Sequence, residues 1–506
     1  MFDERPIHLK SFPQEIAVVM VICMAQFLTQ GGVTMCLSTM NLILESFAER
    51  SNTDIEPTLK VWFMGSYALT VGTFILISGR IGDIVGLKKV FITGWIWVTV
   101  WSLISGLSVF SNSITFFIIC RAFQGIGFAL LLPCGLGILG FMYAPGSRKN
   151  FVFGLVGASG PVGATIGALM AAVIAQLGWW PWEFWALSIA STCFGIISYF
   201  TIPHLKIEDD SKQVIESKLK QFDFLGSICG VFGLILLNFC WNQGPVANWS
   251  AYIIVLLILS VLAIVGFFYL EIKVVENPLL PRCVFNYKIG LVLICIALGW
   301  GSFGVWQYYY WVIVLNFKHY TPIEGSVAFM PFLVLGCIAA MLCSYVISRT
   351  RPSYIILFST IAFMCGDIML SVTPIDQSYF RVLFGQMFLL AWGMDLSFPA
   401  ATIILSDCLP KHYQGMAGSL VATVVNYSVS LALGIASVVE TETLQRTNDD
   451  LKSIRTALHF GTGLAAGGVL FSIVFVIVQH INNDMGTMVH KDEEEKTDTS
   501  STDEIK

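Results

Sequence analysis

Long apolar runs separated by short polar turns recur along the whole chain. A helix needs about twenty apolar residues to cross the hydrocarbon core of a bilayer. Runs of that length lie near 16–40, 59–79, 90–110, 113–135, 151–175, 182–202, 223–242 and 250–271. Six more lie near 289–315, 322–348, 353–373, 379–402, 415–439 and 458–480. The pattern predicts an all-α, polytopic membrane protein of 14 spans. The runs at 182–202 and 322–348 are the least regular, because proline, Glu183 and Glu324 interrupt their starts.

Lys and Arg placement tests that count through the positive-inside rule. An even number of spans puts both termini on one side, expected to be cytoplasmic. Twenty of the 28 basic residues then fall in inner segments, from Arg5 to Lys506, and six in outer loops. Arg121 and Arg381 fall inside spans. One missed helix would flip every later loop and destroy this asymmetry.

The polar stretches divide the chain. A cytoplasmic N-tail (1–15) precedes six spans (16–202), and a charged, amphipathic cytoplasmic loop follows (203–222). Two linker spans with an inner loop (223–288) lead to six further spans (289–480) and an acidic tail (481–506) expected to be disordered. Two six-helix bundles around a midplane site are a recurring transporter solution. No cleavable signal peptide is evident, so the first span is expected to direct insertion. Asn248-Trp249-Ser250 is a glycosylation sequon in a loop placed outside.

Composition agrees. Charged residues make up 12% of the chain, hydrophobic residues 56%, and mean hydropathy is +0.76. Soluble domains carry roughly 25% charged residues, so the expected solvent is the lipid bilayer. The net charge of −5 is concentrated in the tail, and no basic field suggests nucleic acid. The 13 cysteines lie singly in apolar segments and read as packing thiols. No metal-ligand cluster and no G-x-S-x-G elbow suggests an enzyme, and no P-loop suggests an ATP-driven pump.

Four stretches carry candidate chemistry. The first is Gly79-Arg80-Ile81-Gly82-Asp83-Ile84-Val85-Gly86-Leu87-Lys88-Lys89, a tight inner turn. Its glycines permit close helix approach, and Asp83 is suited to accept from a helix N-terminus or to pair with a base. The second is Arg121-Ala122-Phe123-Gln124-Gly125-Ile126-Gly127-Phe128-Ala129, which puts a charge inside the fourth span. A charge at that depth faces a cavity or a partner, and an intramembrane ionisable residue is a functional candidate by default. A purely structural arginine is the plain alternative.

The third runs from Gly154 to Gly167 and contains Gly157, Gly160, Pro161, Gly163 and Gly167. Small residues at three- and four-residue spacing let helices pack closely, and Pro161 permits a kink. The fourth is the aromatic turn Trp179-Trp180-Pro181-Trp182-Glu183-Phe184-Trp185.

The first two stretches resemble the G-x-x-x-D-x-x-G-x-K/R-K/R turn and the R-x-x-Q-G-x-G-x-A motif of the major facilitator superfamily. Ile84 stands where that turn often carries a base. The third looks like the antiporter motif of proton-coupled exporters, with Ala164 and Ala168 where glycines are expected. The fourth resembles the W-x-W-x-F element of the fourteen-span drug:proton antiporter group, and the four stretches together most resemble the fungal aminotriazole- and boron-resistance exporters of that group. The resemblance implies a major facilitator fold with Gly79, Asp83, Gly86, Lys88 and Lys89 as a conformational latch. It implies that Arg121, with Gln124, lines the cavity and couples proton to substrate.

Asp367 and Asp395, inside spans eleven and twelve, are candidate proton carriers or structural partners of an arginine. Gln26, Gln30, Asn238, Gln307, Tyr308 and Asn426 are candidate cavity residues, with helix–helix hydrogen bonding the alternative for each. In the second half, Arg381 and Gly385-Gln386 echo the Arg121 motif. The implied function is proton-coupled export of small toxic compounds, such as drugs, aminotriazole or borate. The proton gradient replaces any cofactor, no metal is involved, and the monomer sits in the plasma membrane. Uptake of a nutrient or siderophore, or a non-transporting sensor, are the alternatives.

Overall fold

The computed structural model describes residues 9, 11–52, 57–144, 146–203, 222–244, 247, 249–275, 278–280, 282–409 and 414–503. Most of the expected N-tail, most of the loop 203–222, and Asn248 of the sequon lie outside the described residues.

Fourteen described helices are long and apolar enough to cross a membrane. We label their helical segments α1 (Phe12–Ser38), α2 (Val61–Val85), α3 (Leu87–Leu107), α4 (Ile114–Met142), α5 (Ser147–Leu177), α6 (Pro181–Thr201) and α7 (Phe224–Gln243). The remainder are α8 (Ala251–Tyr269), α9 (Tyr287–Val312), α10 (Met330–Arg349), α11 (Pro352–Ser371), α12 (Leu383–Cys408), α13 (Gln414–Thr447) and α14 (Asp450–Asp503). Alternate helices run in opposite directions, so α1 begins and α14 leaves at one end. We call this the basal end and the opposite one the distal end.

Helices α1 to α6 form one bundle, through the pairs α1–α5, α2–α4, α3–α4 and α3–α6. Helices α9 to α14 form the second, through α9–α14, α11–α12, α11–α14 and α10–α12. The bundles meet along α2–α13 and α5–α10. Of the linker pair, α7 lies against α2 and α13, while α8 shows broad apolar faces at Ile254, Val255, Leu262 and Val265. Such a face has only hydrocarbon to bury it.

Local chemistry explains several boundaries. The tenth span is broken at Phe329 and starts with a short helix, Pro322–Ala328. There Thr321 and Glu324 form a capping box with Pro322 at the first position, so Glu324 starts the helix that it had been read as interrupting. Arg381, expected inside the twelfth span, lies before α12 on an exposed turn; its N–H donates to Ser378 O at 3.3 Å. The tail from 481, expected to lack structure, continues α14 as helix to Asp503. No proline interrupts it, and Gly486 is its single poor helix former of that kind.

At the basal end, Glu15 of α1 receives Tyr143 Oη at 2.7 Å and Arg148 in a fork, with Nε at 2.9 Å and the second nitrogen at 2.6 Å. This fixes α1 to the joint between α4 and α5. Burial, reinforced by the bond to Glu15, pushes the Tyr143 phenol up.

Candidate functional site

The seam between the bundles is closed distally. Asn41 Nδ2 donates to Asn316 Oδ1 at 2.7 Å, and Ile323 N–H to Gln176 Oε1 at 3.0 Å. Ser326 Oγ donates to Ala168 O at 3.2 Å, and Ser430 Oγ to Gly65 O at 2.8 Å. Among the described residues no hydrogen bond joins the basal halves of the bundles. Side chains added at Gly154 and Gly157, in the basal half of α5, would meet open space.

A polar cluster surrounds the distal bridge. Lys60 Nζ donates to Asn41 Oδ1 at 2.7 Å. Burial pushes the Lys60 ammonium down from the usual lysine range, against the charges of Glu45 and Glu440, which pull it back up. Glu440 of α13 receives Tyr309 Oη at 2.8 Å. Nothing in the sequence sets Lys60, Asn41, Asn316 and Glu440 apart, because single polar residues at span ends are common.

Arg121 is fully buried inside the first bundle rather than lining an open cavity. Its guanidinium donates to Phe63 O at 3.3 Å, to Gly32 O at 2.5 Å and to Gln124 Oε1. It lies 4.7 Å from the Tyr67 ring centroid and 5.8 Å from that of Phe184. Gln124 Nε2 continues to Ser102 Oγ at 2.7 Å. One side chain therefore ties α1, α2, α4 and α6 together. A buried cation is tolerable only when its donors are occupied, and here the occupants are neutral oxygens. Within electrostatic reach stands Glu183, also buried, whose carboxylate faces Thr39 Oγ1 at 3.1 and 3.3 Å. In the sequence Glu183 marks only an irregular span start, and its one distinguishing signal is its place in the aromatic turn.

The turn after α2 is divided in its contacts. Gly86 has φ +110°, a conformation that favours glycine. Lys88 Nζ donates to Tyr199 O at 2.9 Å and Ile202 O at 2.5 Å, holding the end of α6 within its own bundle. Lys89 and Asp83 are exposed, and Asp83 has no hydrogen bond or ion pair among the described residues. Gly79 approaches the other bundle: a Cβ there would lie 3.3 Å from Ser419 Oγ of α13.

The glycine-rich stretch builds two contacts. A Cβ at Gly163 would fall 2.1 Å from Phe27 O, and one at Gly167 would fall 2.4 Å from Gly31 Cα, so α5 presses on the α1 backbone. Gly160 leaves room for Gln26 and Gln30. On another side, Pro161 meets the second bundle: a Cβ at Gly336 of α10 would lie 2.6 Å from Pro161 Cβ and 3.0 Å from Asp395 Oδ2. That carboxylate oxygen is enclosed and has no donor.

Asp367 is elsewhere, between α11, α9 and α14; Ser302 Oγ donates to its Oδ2, and its Oδ1 is unpaired. The two candidate carboxylates are thus separated, one enclosed within the second bundle and one at the seam. Asn238 is bound at the linker seam, donating to Ser430 Oγ at 3.0 Å. Asn426 donates to Ala422 O of its own helix at 2.9 Å, beside Gly72 of α2. Gln26 and Gln30 on α1, and Gln307 and Tyr308 on α9, make no side-chain hydrogen bond among the described residues, and α1 touches α9. Gln386, in the echo of the Arg121 motif, accepts from Trp306 Nε1 at 2.9 Å, and no arginine hydrogen-bonds to it among the described residues.

A family model described as Major Facilitator Superfamily matches residues 22–434. Over 94% of its length the chain is 44% identical to the low affinity ammonium transporter of Saccharomyces cerevisiae, covering 90% of that protein. It is also 44% identical to the aminotriazole resistance protein of the same organism, over 94% of this chain and 87% of that one. An efflux pump of Aspergillus terreus is 37% identical over 93% of this chain and 90% of its own. Among solved structures, a POT family transporter in complex with a thioalcohol-conjugated peptide superposes with TM-score 0.65, covering 91% of this chain and 96% of that one. At 13% identity this likeness concerns the fold.

Proposed function

The chain belongs to the major facilitator superfamily and is a membrane transporter rather than an enzyme, and we propose that it is a proton-coupled exporter of small toxic solutes. Aminotriazole- and borate-like compounds and drugs are the proposed cargo, and the plasma membrane the proposed site, with both termini cytoplasmic. In that orientation the distal end is outside and the structure is closed to it. The names of the relatives support export: one is a resistance protein and another an efflux pump.

The observation that carries the proposal is the seam at Asp395. Its Oδ2 is enclosed against Gly336 and Pro161, where the antiporter-like stretch crosses the second bundle. Asp395 is half-buried, but this oxygen is enclosed without a donor, and holding it so while ionised costs free energy. A proton on Asp395 lowers that cost while the seam is closed, and parting of the bundles opens this oxygen to water. Bundle movement and proton binding are thereby coupled, as alternating access requires. Arg121 serves by holding four helices of the first bundle as one moving body.

The test is growth of a sensitive host on borate, aminotriazole and a drug panel, with and without the protein. Asp395→Asn, matched for membrane abundance, is the control. Resistance with lower intracellular toxicant, lost in the variant, is expected. Absence of protection from a plasma-membrane-resident protein would remove the export reading. Uptake is the second reading, favoured by the relative named as an ammonium transporter. Higher intracellular solute in expressing cells would support it.

A further inference from the structure

The contacts of Thr39 pose a problem of hydrogen count. Its Oγ1 lies 2.9 Å from Met35 O and 3.1 Å from Glu183 Oε2. A threonine hydroxyl carries one hydrogen. If Glu183 is ionised, one of these contacts sets two oxygens together with no hydrogen between them. If Glu183 carries a proton, its O–H donates to Thr39 Oγ1 and Thr39 donates to Met35 O. Both distances are then hydrogen bonds.

The surroundings permit that proton. Glu183 is 3% exposed and Thr39 is fully buried. Arg121 of α4 is the cation in reach, and its hydrogen bonds go to neutral oxygens, so protonation breaks no ion pair. Cys36 of α1 is the other titratable neighbour. Helices α3 and α5 carry charged side chains only at their basal ends, at Lys88, Lys89, Arg148 and Lys149. Glu45, Glu49 and Arg50 of the helix after α1 are exposed.

The position of Thr39 gives the proton a consequence. It stands at the break between α1 and the short helix Met40–Ser51. Two residues later Asn41 makes the bridge to Asn316 of the second bundle. One residue earlier Ser38 Oγ reaches Ala168 O at 3.0 Å, the same carbonyl that Ser326 approaches from the second bundle. The joint at Thr39 therefore sits between two contacts that close the distal end.

We propose that Glu183 is a second proton site, distinct from Asp395, and that its proton locks the distal gate through Thr39. With the proton bound, the joint is fully hydrogen-bonded and Asn41 is held against Asn316. Without it, one bond at the joint is lost and the bridge loosens. This inference rests on the alternating-access reading above, but not on the direction of transport or on the role of Asp395.

The test is amide hydrogen exchange of the full-length protein in lipid nanodiscs between pH 5 and 9, corrected for intrinsic rates and read on residues 40–51. Protection of that helix should be high at low pH and fall several-fold, by about tenfold at most, as pH rises. Glu183→Gln, whose amide donates to Thr39 as the neutral acid does, should stay protected throughout. Thr39→Val should be weakly protected at every pH, and Thr39→Ser should restore the wild-type profile. A wild-type change below about twofold, or an unaltered profile in Glu183→Gln, overturns the proposal. Transport that needs Asp395 beside a flat wild-type exchange profile sinks this inference and spares the transport reading. A pH-dependent gate in a protein whose transport ignores the proton gradient does the reverse.

Discussion

Gly336 and Pro161, from opposite bundles, are packed so closely that no side chain fits at 336: its Cβ would come within 2.6 Å of the proline ring. The antiporter-like stretch of the first bundle therefore has a specific counterpart in the second, and the carboxylate of Asp395 shares that contact.

Gly336→Val should separate the bundles at this crossing. Overpacking of a close contact costs about 1–3 kcal/mol, so transport should fall roughly tenfold while membrane abundance stays near wild type. Gly157→Val, which faces open space, is the matched control and should transport normally. Normal transport by Gly336→Val would falsify the view that this seam closes in each cycle.

Arg121→Ala leaves the carbonyls of Gly32 and Phe63 and the Gln124 amide oxygen without the guanidinium donor. The Gln124 oxygen, left buried without a donor, costs about 1–3 kcal/mol, while the two carbonyls, inside α1 and α2, lose only a second donor and keep their helix bonds. The melting temperature in detergent should drop and membrane abundance should fall. Arg121→Lys should recover little of it, because an ammonium cannot reproduce the guanidinium fork. Equal melting temperatures for wild type and Arg121→Ala would show that the cluster does not hold the bundle.

The adjacent lysines should behave differently. Lys88→Ala removes two bonds and a favourable charge from the C-terminal end of α6, a loss of about 1 kcal/mol. Lys89→Ala, at an exposed site, should stay within roughly 0.5 kcal/mol of wild type. Thermal melts of the two variants in one detergent would separate these effects.

Asn316→Ala deletes one of the distal bridges between bundles. A single bond of this kind is worth on the order of 1 kcal/mol, a few-fold change in the closed population. Hydrogen exchange at 313–321 should rise accordingly, with basal segments unchanged. A uniform rise across the molecule would point instead to general destabilisation.

The span count was legible because each helix must bury its own backbone polar groups in hydrocarbon, which forces long apolar runs. The Gly79–Lys89 turn and the Arg121 motif were visible for a related reason. Charges and glycines are conspicuous in such runs, and each is confined to one short segment. Boundaries were less legible. Glu324 looked like an interruption and is a cap, and Arg381 looked intramembrane and sits on a turn. A polar residue near a helix start reads the same in both roles until the backbone is traced.

Contacts between distant segments were decided only by the tertiary structure. Nothing local to Thr39 indicates that it meets Glu183, 144 residues away. Asn41 and Asn316 are ordinary loop-edge amides until two bundles bring them to 2.7 Å. Asp367 and Asp395 looked equivalent in sequence, each a lone acid in an apolar helix. Packing separated them, enclosing one beside Ser302 and placing the other at the seam. Sequence alone determined the topology and the residue types that lipid makes costly; which of those residues meet was set by how the helices pack, because the energy of a buried polar group depends on its partner.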